Sequence, residues 1–403
     1  LVLRLDPGFK LSRLQEVVHE VAGAHPILRA PIRRGLGAPH YRLDPPGPFP
    51  QVTEHAGGAR RETLPPVFEE LLNGVMEPRR GELLRFDAVP YDDGCVDLAM
   101  TWLHMLFDGS GSEYFATRLA EIEAGTRSIA DLAPSEEIAS ASQTGLRGRG
   151  EQARAWQQQF RALAAHPPRS LAGPLRREPQ SLEFDLTSFD PPESEQIGER
   201  ARTLAGFLTP MLFYLAATIR AHDAVFRARG ARPESYVVPL PVDLRAKGGE
   251  PAIFRTRVSM LWFQARADEV DNLETLLARL KQQRKELIRS GSVAAGLAAM
   301  DFARFAPKHL YAQMARRDFS GELCSFFFAF TDQFMPDCEY FFGARVRNGF
   351  HVPSVPPSPG SSAILSLRGD RLNLTHVRQR GVFRGGELDI FREQLKRDVL
   401  GTT

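Results

Sequence analysis

The chain has 403 residues, of which 43% are hydrophobic and 25% are charged, and its formal net charge at pH 7 is +2. These values are typical of a globular protein with room for two domains, and they exclude a disordered or fibrous chain. The near balance of charge predicts no nucleic-acid partner, and no stretch approaches the roughly 20 apolar residues of a transmembrane segment. Three cysteines without metal-ligand spacing predict a cytoplasmic protein with no metal site.

The first part of the chain predicts strands and helices in alternation. Because it begins at Leu1 inside a strand-like run, we expect a fragment of a longer protein, from which a targeting signal cannot be read. In order, we expect a strand at 1–5, a helix at 11–24, a proline-rich loop or irregular edge at 41–52, a short helix at 65–75 and a strand at 83–89. A turn at Asp92-Asp93-Gly94 pairs this last strand with the next one.

The next strand and helix enclose the most informative loop of the sequence. Apolar residues at every second position from 96 to 102 predict a strand, and an apolar stripe from about Ser112 to Glu123 predicts a helix that ends at Gly125. His104 lies in the loop between them. Since loops on a rigid scaffold carry many catalytic groups, this imidazole is placed to accept a proton from a substrate.

Asp108, Gly109 and Gly111 follow in the same loop. A carboxylate four residues after the histidine is expected to anchor the loop through a cation from elsewhere in the chain. The glycines permit tight backbone angles and the close approach of other groups. From these residues alone two interpretations remain open: a catalytic loop, or a strand-end histidine bonded to backbone and followed by an ordinary Asp-Gly-Ser-Gly turn.

A helix at 152–165 and a break in periodicity at 166–174 end the first half. In the second half we expect, in order, a strand at 181–186, helices at 193–204 and 209–221, strands at 236–245 and 258–263, an amphipathic helix at 268–288, strands at 325–331 and 342–346, a proline-rich bridge, a hairpin turning at Gly369-Asp370 and a helix at 387–400. The helix at 209–221 is apolar nearly all round, which predicts burial.

Two segments resemble elements of the condensation-domain superfamily, which includes chloramphenicol acetyltransferase, wax ester synthases, alcohol acyltransferases and polyketide-associated acyltransferases. Trp102-Leu-His-Met-Leu-Phe-Asp-Gly109 resembles its HHxxxDG motif, with Leu103 in place of the first histidine. Pro241-Val-Asp-Leu-Arg245 resembles its P-x-x-x-R element. The resemblance implies a catalytic site of His104, Asp108 and Gly109, with His104 as general base. It also implies that Arg245 holds Asp108 in an ion pair; a solvated strand-end arginine is the alternative.

The resemblance also implies an α+β fold of two chloramphenicol-acetyltransferase-like lobes, each a mixed sheet with flanking helices, and a tunnel between them. The first lobe would span residues 1–170 and the second 171–403. A crossover segment at about 342–375 would return from the second lobe to the first. The opening of the chain is also similar to that of the family, which implies that His25-Pro26 is a structural corner and that the next strand starts after the proline.

Further site residues follow from the same resemblance. Ser325, Thr331 and Trp102 are candidates for lining the tunnel, and the two hydroxyls are candidates for donating to an oxyanion. A hydroxyl on an aromatic strand is more often structural. No redox cofactor or metal is expected, because no Cys/His cluster has ligand spacing.

The resemblance therefore implies an acyltransferase of lipid or secondary metabolism that uses a thioester of CoA or of an acyl carrier protein as substrate and a small alcohol or amine as acceptor. Contact with a membrane surface is compatible with this function. Two alternatives remain open: a peptide-synthetase-type condensation domain, and a degenerate, non-catalytic binding protein, which the loss of the first motif histidine favours. A serine hydrolase is not expected, because the chain has no Gly-x-Ser-x-Gly motif.

Overall fold

The computed structural model describes residues 1–34, 39–60, 63–132, 145–173, 180–245, 253–254, 256–303 and 305–402. Its strands are β1 (Val2–Leu5), β2 (Ile32–Arg33), β3 (His40–Tyr41), β4 (Gln51–Glu54), β5 (Leu84–Pro90), β6 (Val96–Trp102), β7 (Leu182–Ser188), β8 (Ser235–Asp243), β9 (Val258–Arg266), β10 (Phe327–Thr331), β11 (Tyr340–Phe341), β12 (Ala344–Phe350), β13 (Ser361–Arg368) and β14 (Arg371–Gln379). Its helices are α1 (Leu11–Ala24), α2 (Val67–Asn73), α3 (Gly109–Glu123), α4 (Leu146–Ala164), α5 (Pro191–Ala205), α6 (Pro210–Ala228), α7 (Leu273–Arg289), α8 (Ser292–Ala303), α9 (Lys308–Arg317) and α10 (Glu387–Leu400).

The sheet of the first lobe runs in the order β11-β12-β1-β6-β5-β4. β5 and β6 are antiparallel partners, with Leu84 opposite Trp102, so the predicted hairpin is present. α1 and α3 bury their apolar stripes against this sheet through residues such as Leu14 and Phe115. Removal of this apolar surface from water is the dominant favourable term in folding. It fixes the end of β6 relative to the start of α3, and so positions the loop between them.

The second lobe contains the sheet β10-β13-β14-β7 and the separate antiparallel hairpin of β8 and β9. Helices α5, α6, α7 and α10 share one apolar core with these strands. α6 is buried along most of its length, as its sequence predicts. In the part of the chain that the structure describes, no single helix is long and apolar enough to span a membrane; α5 and α6 together, bent by 100°, meet that test by length and composition only.

The chain crosses from the second lobe to the first after β10. β11 and β12 join the first sheet, where β12 lies antiparallel to β1 with Phe350 opposite Val2. Of the segment expected to cross at about 342–375, β12 lies in the first sheet, whereas β13 and β14 pair with β10 and β7 in the second. The segment that follows β12 therefore lies where the two lobes meet.

One expected strand starts later than the sequence indicates. The residues directly after His25 form a 3₁₀ turn at Pro26–Arg29, and β2 begins only at Ile32. Proline suits the first position of such a turn, because its φ is already fixed and its missing N–H is not needed there. His25 is buried and its Nε2 lies 2.9 Å from the carbonyl oxygen of Ile129, which is the structural role expected for it.

Two histidines are buried in the core of the second lobe. His222 stacks on Phe326 with ring centroids 3.9 Å apart, and its Nδ1 donates to the carbonyl of Thr218 at 2.9 Å. The Ser361 hydroxyl then donates to His222 Nε2 and accepts from His376 Nε2 at 3.0 Å. His376 Nδ1 is buried without a hydrogen-bond partner, which suits the unprotonated nitrogen of this tautomer. Both rings are thus held neutral.

This pair makes stability depend on pH. Burial lowers the pKa of His222 from 6.5 to about 4 and lowers the pKa of His376 as well. Below about pH 6.5 the unfolded chain therefore binds protons that the folded protein does not bind. The free energy of unfolding has its full value above that pH and decreases as the pH drops towards 4. For His222 alone the loss is about 3 kcal/mol. Thermal unfolding from pH 7 to pH 4 should show a smaller decrease in Tm for His222→Phe than for the wild type; equal decreases would contradict this account.

Candidate functional site

The loop that joins β6 to α3, residues 103–108, is here called the motif loop. A turn closes it, because the N–H of Leu106 donates to the carbonyl of Leu103 at 2.8 Å. The indole Nε1 of Trp102 donates to the carbonyl of Phe107 at 2.9 Å and ties the end of the strand to the far side of the loop. His104 lies in this turn with an exposed side chain.

Two further hydrogen bonds hold the backbone of the motif loop. The hydroxyl of Tyr41 donates to the carbonyl of Met105 at 2.5 Å, and the hydroxyl of Thr256, from the segment before β9, donates to the carbonyl of His104 at 3.3 Å. The backbone around His104 is therefore fixed from both lobes while its imidazole remains open to solvent. A fixed backbone with an accessible ring is what a general base requires.

Asp108 is only 1% exposed and caps the N-terminus of α3. Its Oδ1 accepts from the N–H of Gly111 at 2.8 Å and pairs with Arg245 Nη2 at 2.9 Å. Its Oδ2 accepts from Arg245 Nη1 at 3.2 Å and from the N–H of Arg257 at 2.7 Å. An acidic residue at this position also interacts favourably with the helix dipole.

Asp108 and Arg245 are here called the inter-lobe clamp. The arginine side chain is 6% exposed and lies just after β8, so the carboxylate at the start of α3 is bound by the second lobe through two parallel N–H···O contacts. Arg245 Nη1 also contacts Asp243 at 3.0 Å, which orients the guanidinium from its own strand. Asp108 is thereby turned away from the exposed side of the motif loop, where His104 lies.

The glycines of the motif differ in what they permit. A Cβ at Gly111 would lie 2.9 Å from Phe107 Cβ and 3.1 Å from Arg245 Nη2, so only glycine fits beside the clamp. A Cβ at Gly109 would meet nothing nearer than His351 Nε2 at 3.8 Å. The close approach expected from the sequence therefore occurs at Gly111 rather than at Gly109.

This contrast gives a matched pair of variants. Gly111→Ala should destabilise the protein by about 1–3 kcal/mol, because the methyl group overpacks a buried site and displaces Arg245. Gly109→Ala should change the free energy of unfolding by less than about 1 kcal/mol, since the methyl group has ordinary contact distances. Urea unfolding of both variants measures the difference, and equal losses would show that Gly111 is not the constrained position.

The other predicted site residues lie in different settings. The Ser325 side chain is buried, and its Oγ accepts from the N–H of Val237 at 3.1 Å, so it links the start of the β10 segment to β8. Thr331 is half-buried at the end of β10. Trp102 is half-buried and its indole N–H is bonded within the motif loop. Their roles in a tunnel or towards an oxyanion remain predictions.

Two residues beside the motif loop were not expected from the sequence. His351 follows β12 and is 7% exposed, and its Nε2 lies 2.8 Å from Oε1 of Glu113 on α3, which is 9% exposed. They are 238 positions apart in the chain. No periodicity or spacing connects them, so only the pairing of β12 with β1 reveals that they meet.

Comparisons with known proteins bear on the fold. A scan against protein-family models finds no match, and a search of curated proteins finds no significant match. Among solved structures, the TRI3 trichothecene 15-O-acetyltransferase of Fusarium sporotrichioides is similar over 99% of this chain and 89% of its own, with a TM-score of 0.72 and 14% identity. The first condensation domain of the calcium-dependent antibiotic synthetase is similar over the same share of this chain, so the chain has the condensation-domain fold.

Other structures with the condensation-domain fold are similar over the whole chain. The first condensation domain of the calcium-dependent antibiotic synthetase matches with a TM-score of 0.66 and 16% identity over 99% of this chain and 90% of its own. The epimerization domain of tyrocidine synthetase B matches with a TM-score of 0.58 and 11% identity over 100% and 91%. The predicted fold class of two chloramphenicol-acetyltransferase-like lobes is confirmed. At these identities the likeness concerns the fold alone.

Proposed function

We propose that the protein is an acyltransferase in which His104 is the general base. The observation that supports this proposal most is the inter-lobe clamp: Asp108 binds Arg245 of the second lobe at 2.9 Å and leaves the exposed His104 four positions earlier at the junction of the lobes. Fold neighbours that include an acetyltransferase and condensation domains agree with acyl transfer.

In the proposed reaction, His104 accepts the proton of an alcohol or amine as the oxygen or nitrogen attacks the carbonyl carbon of a thioester. The carbon–sulfur bond then breaks, and the imidazolium returns the proton to the leaving thiolate. The products are an ester or amide and a free thiol, so the histidine is regenerated. General base catalysis of this kind contributes about 10² to 10⁴ in rate. The donor is a thioester of CoA or of a carrier protein.

Release of thiol tests this proposal. The wild-type protein would be incubated with acyl-CoAs of increasing chain length and with acyl-pantetheine, each with and without panels of small alcohols and amines. We expect thiol release that depends on the acceptor, together with the ester or amide identified by mass spectrometry. Release without any acceptor would indicate a hydrolase, and no release from any donor, including loaded carrier proteins, would overturn the proposal.

The same assay separates the alternatives from the proposal. A peptide-synthetase-type condensation domain would accept only aminoacyl or acyl groups on carrier proteins, with an amine on a second carrier as acceptor. A non-catalytic binding protein would bind the donor without releasing thiol. Leu103 in place of the first motif histidine is the sequence feature behind that second alternative.

A further inference from the structure

The buried pair of Glu113 and His351 lies beside the motif loop and has no part in the proposed reaction. Oε1 of Glu113 lies 2.8 Å from His351 Nε2, and Oε2 accepts from the N–H of Met335 at 3.1 Å. Since the carboxylate accepts, Nε2 carries the proton, which is assigned from the hydrogen bonding. Glu113 thus links α3 to Met335, which precedes β11, and to His351, which follows β12.

The ring of His351 lies beside both ends of the motif loop. Its centroid lies 6.1 Å from that of Trp102, the last residue before the loop, in an edge-to-face arrangement. Its Nε2 would lie 3.8 Å from a Cβ on Gly109, the first residue after the loop. Phe334 contacts the ring edge-to-face with a centroid distance of 5.2 Å and holds it in place. The imidazole therefore packs against the end of β6 and is hydrogen-bonded to Glu113 in the first turns of α3.

We propose that His351 and Glu113, here called the loop wedge, are positioning residues that set the distance between the two ends of the motif loop and so the place of His104. The loop wedge acts on both ends of the loop, and the inter-lobe clamp acts on Asp108 from the second lobe. The hydrogen bond to Glu113 fixes the rotation of the His351 ring, which decides how far Trp102 and Gly109 stand apart. Neither residue touches the substrate.

The inference rests on the proposed function for its kinetic consequence, because a misplaced base matters only if His104 is one. A misplacement of about 1 Å in a catalytic group can cost 10²-fold in rate. His351→Phe keeps an aromatic ring between the same neighbours but removes the bond to Glu113. We expect it to lower kcat by about 10- to 100-fold with KM for the thioester changed less than about twofold, since the loss concerns the transition state.

Conservative and control variants separate positioning from general damage to the fold. His351→Gln offers an amide N–H near the site of Nε2 and should recover most of the kcat lost in His351→Phe. His376→Phe is the matched control, because it replaces another buried, hydrogen-bonded histidine in the second sheet and should leave kcat unchanged. If His351→Phe does not fold, Glu113→Gln, which keeps the size of the side chain, takes its place with the same expectation.

A second readout does not depend on activity. Met105 lies beside His104 and is 51% exposed, so its ε-methyl resonance in protein labelled with ¹³C-methyl methionine reports the place of the motif loop. His351→Phe or Glu113→Gln should shift this resonance, while the resonances of Met211 and Met260 in the second lobe stay fixed. If the wild type transfers no acyl group, the proposed function fails and this readout alone decides the inference.

Loss of kcat with unchanged KM, rescue by His351→Gln and a shifted Met105 resonance would together support the loop wedge. An unmoved Met105 resonance in the folded variants would overturn it, with or without a change in kcat. Wild-type kcat in His351→Phe, with Tm alone reduced, would also overturn it, because the pair would then be merely structural.

Discussion

Replacing His104 by alanine is expected to lower kcat for acyl transfer by about 10² to 10⁴, the contribution typical of a general base. Without the imidazole, no group in the motif loop takes the proton of the acceptor, because Asp108 is bound to Arg245 and to two backbone N–H groups. The fold should be retained, since the side chain is exposed. Acceptor-dependent thiol release and the circular dichroism melting curve measure the two effects.

The matched control is His309→Ala, which removes another exposed histidine, on α9. It should leave both kcat and Tm unchanged. If His104→Ala transferred acyl groups as fast as the control, His104 would not be the base and the mechanism would be wrong. If both variants lost activity equally, the loss would have a cause other than the missing base.

The second large effect concerns the inter-lobe clamp. Arg245→Ala leaves the buried carboxylate of Asp108 without its guanidinium, and breaking a buried pair in this way costs about 3–5 kcal/mol. Arg245→Lys should recover only part of the loss, because an ammonium cannot make both parallel contacts. Activity should fall with stability, since the clamp holds the loop that carries His104. Urea unfolding and thiol release give both quantities.

Arg13→Ala is the control for this prediction. Arg13 pairs with Glu16 at 2.9 Å, but both side chains are well exposed, at 39% and 60%, so its loss should leave the free energy of unfolding nearly unchanged. A double-mutant cycle with Asp108→Asn isolates the coupling between the clamp residues. Equal stability of Arg245→Ala and Arg13→Ala would show that the clamp does not hold the lobes or the loop.

Local pattern was sufficient to predict several elements, including the strand before the motif loop. Alternation from 96 to 102 predicted β6 with the bounds found in the structure, and α1 and α10 also begin and end where their apolar stripes predict. Such elements are predictable because one face is buried. The spacing of the apolar residues then follows the period of the helix or the strand. Asp108 and Arg245 are 137 positions apart. Their contact was predicted from the resemblance of two short motifs to a known family, not from periodicity.

Other features are missed by the pattern of apolar residues. α3 begins at Gly109 rather than near Ser112, because Asp108 caps its N-terminus. The two glycines in its first turn carry no apolar side chain, so the apolar stripe does not show this start. α8 is mostly apolar and rich in alanine, so it shows no helical stripe. The loop wedge joins a residue of α3 to the residue after β12. The sequence does not distinguish the buried carboxylate on α3 from an exposed one. For the loop wedge, tertiary packing alone brings the two residues together.

The most direct measurement of the central claim is a structure of the protein with a non-hydrolysable acyl-pantetheine analogue and an alcohol acceptor bound together. The account predicts that the acceptor oxygen lies about 2.6–3.2 Å from an imidazole nitrogen of His104 and about 3–3.5 Å from the carbon that stands for the thioester carbonyl. It also predicts that Arg245 still binds Asp108 in that complex. An analogue bound away from His104, or a His104 ring turned from both ligands, would contradict the proposed reaction.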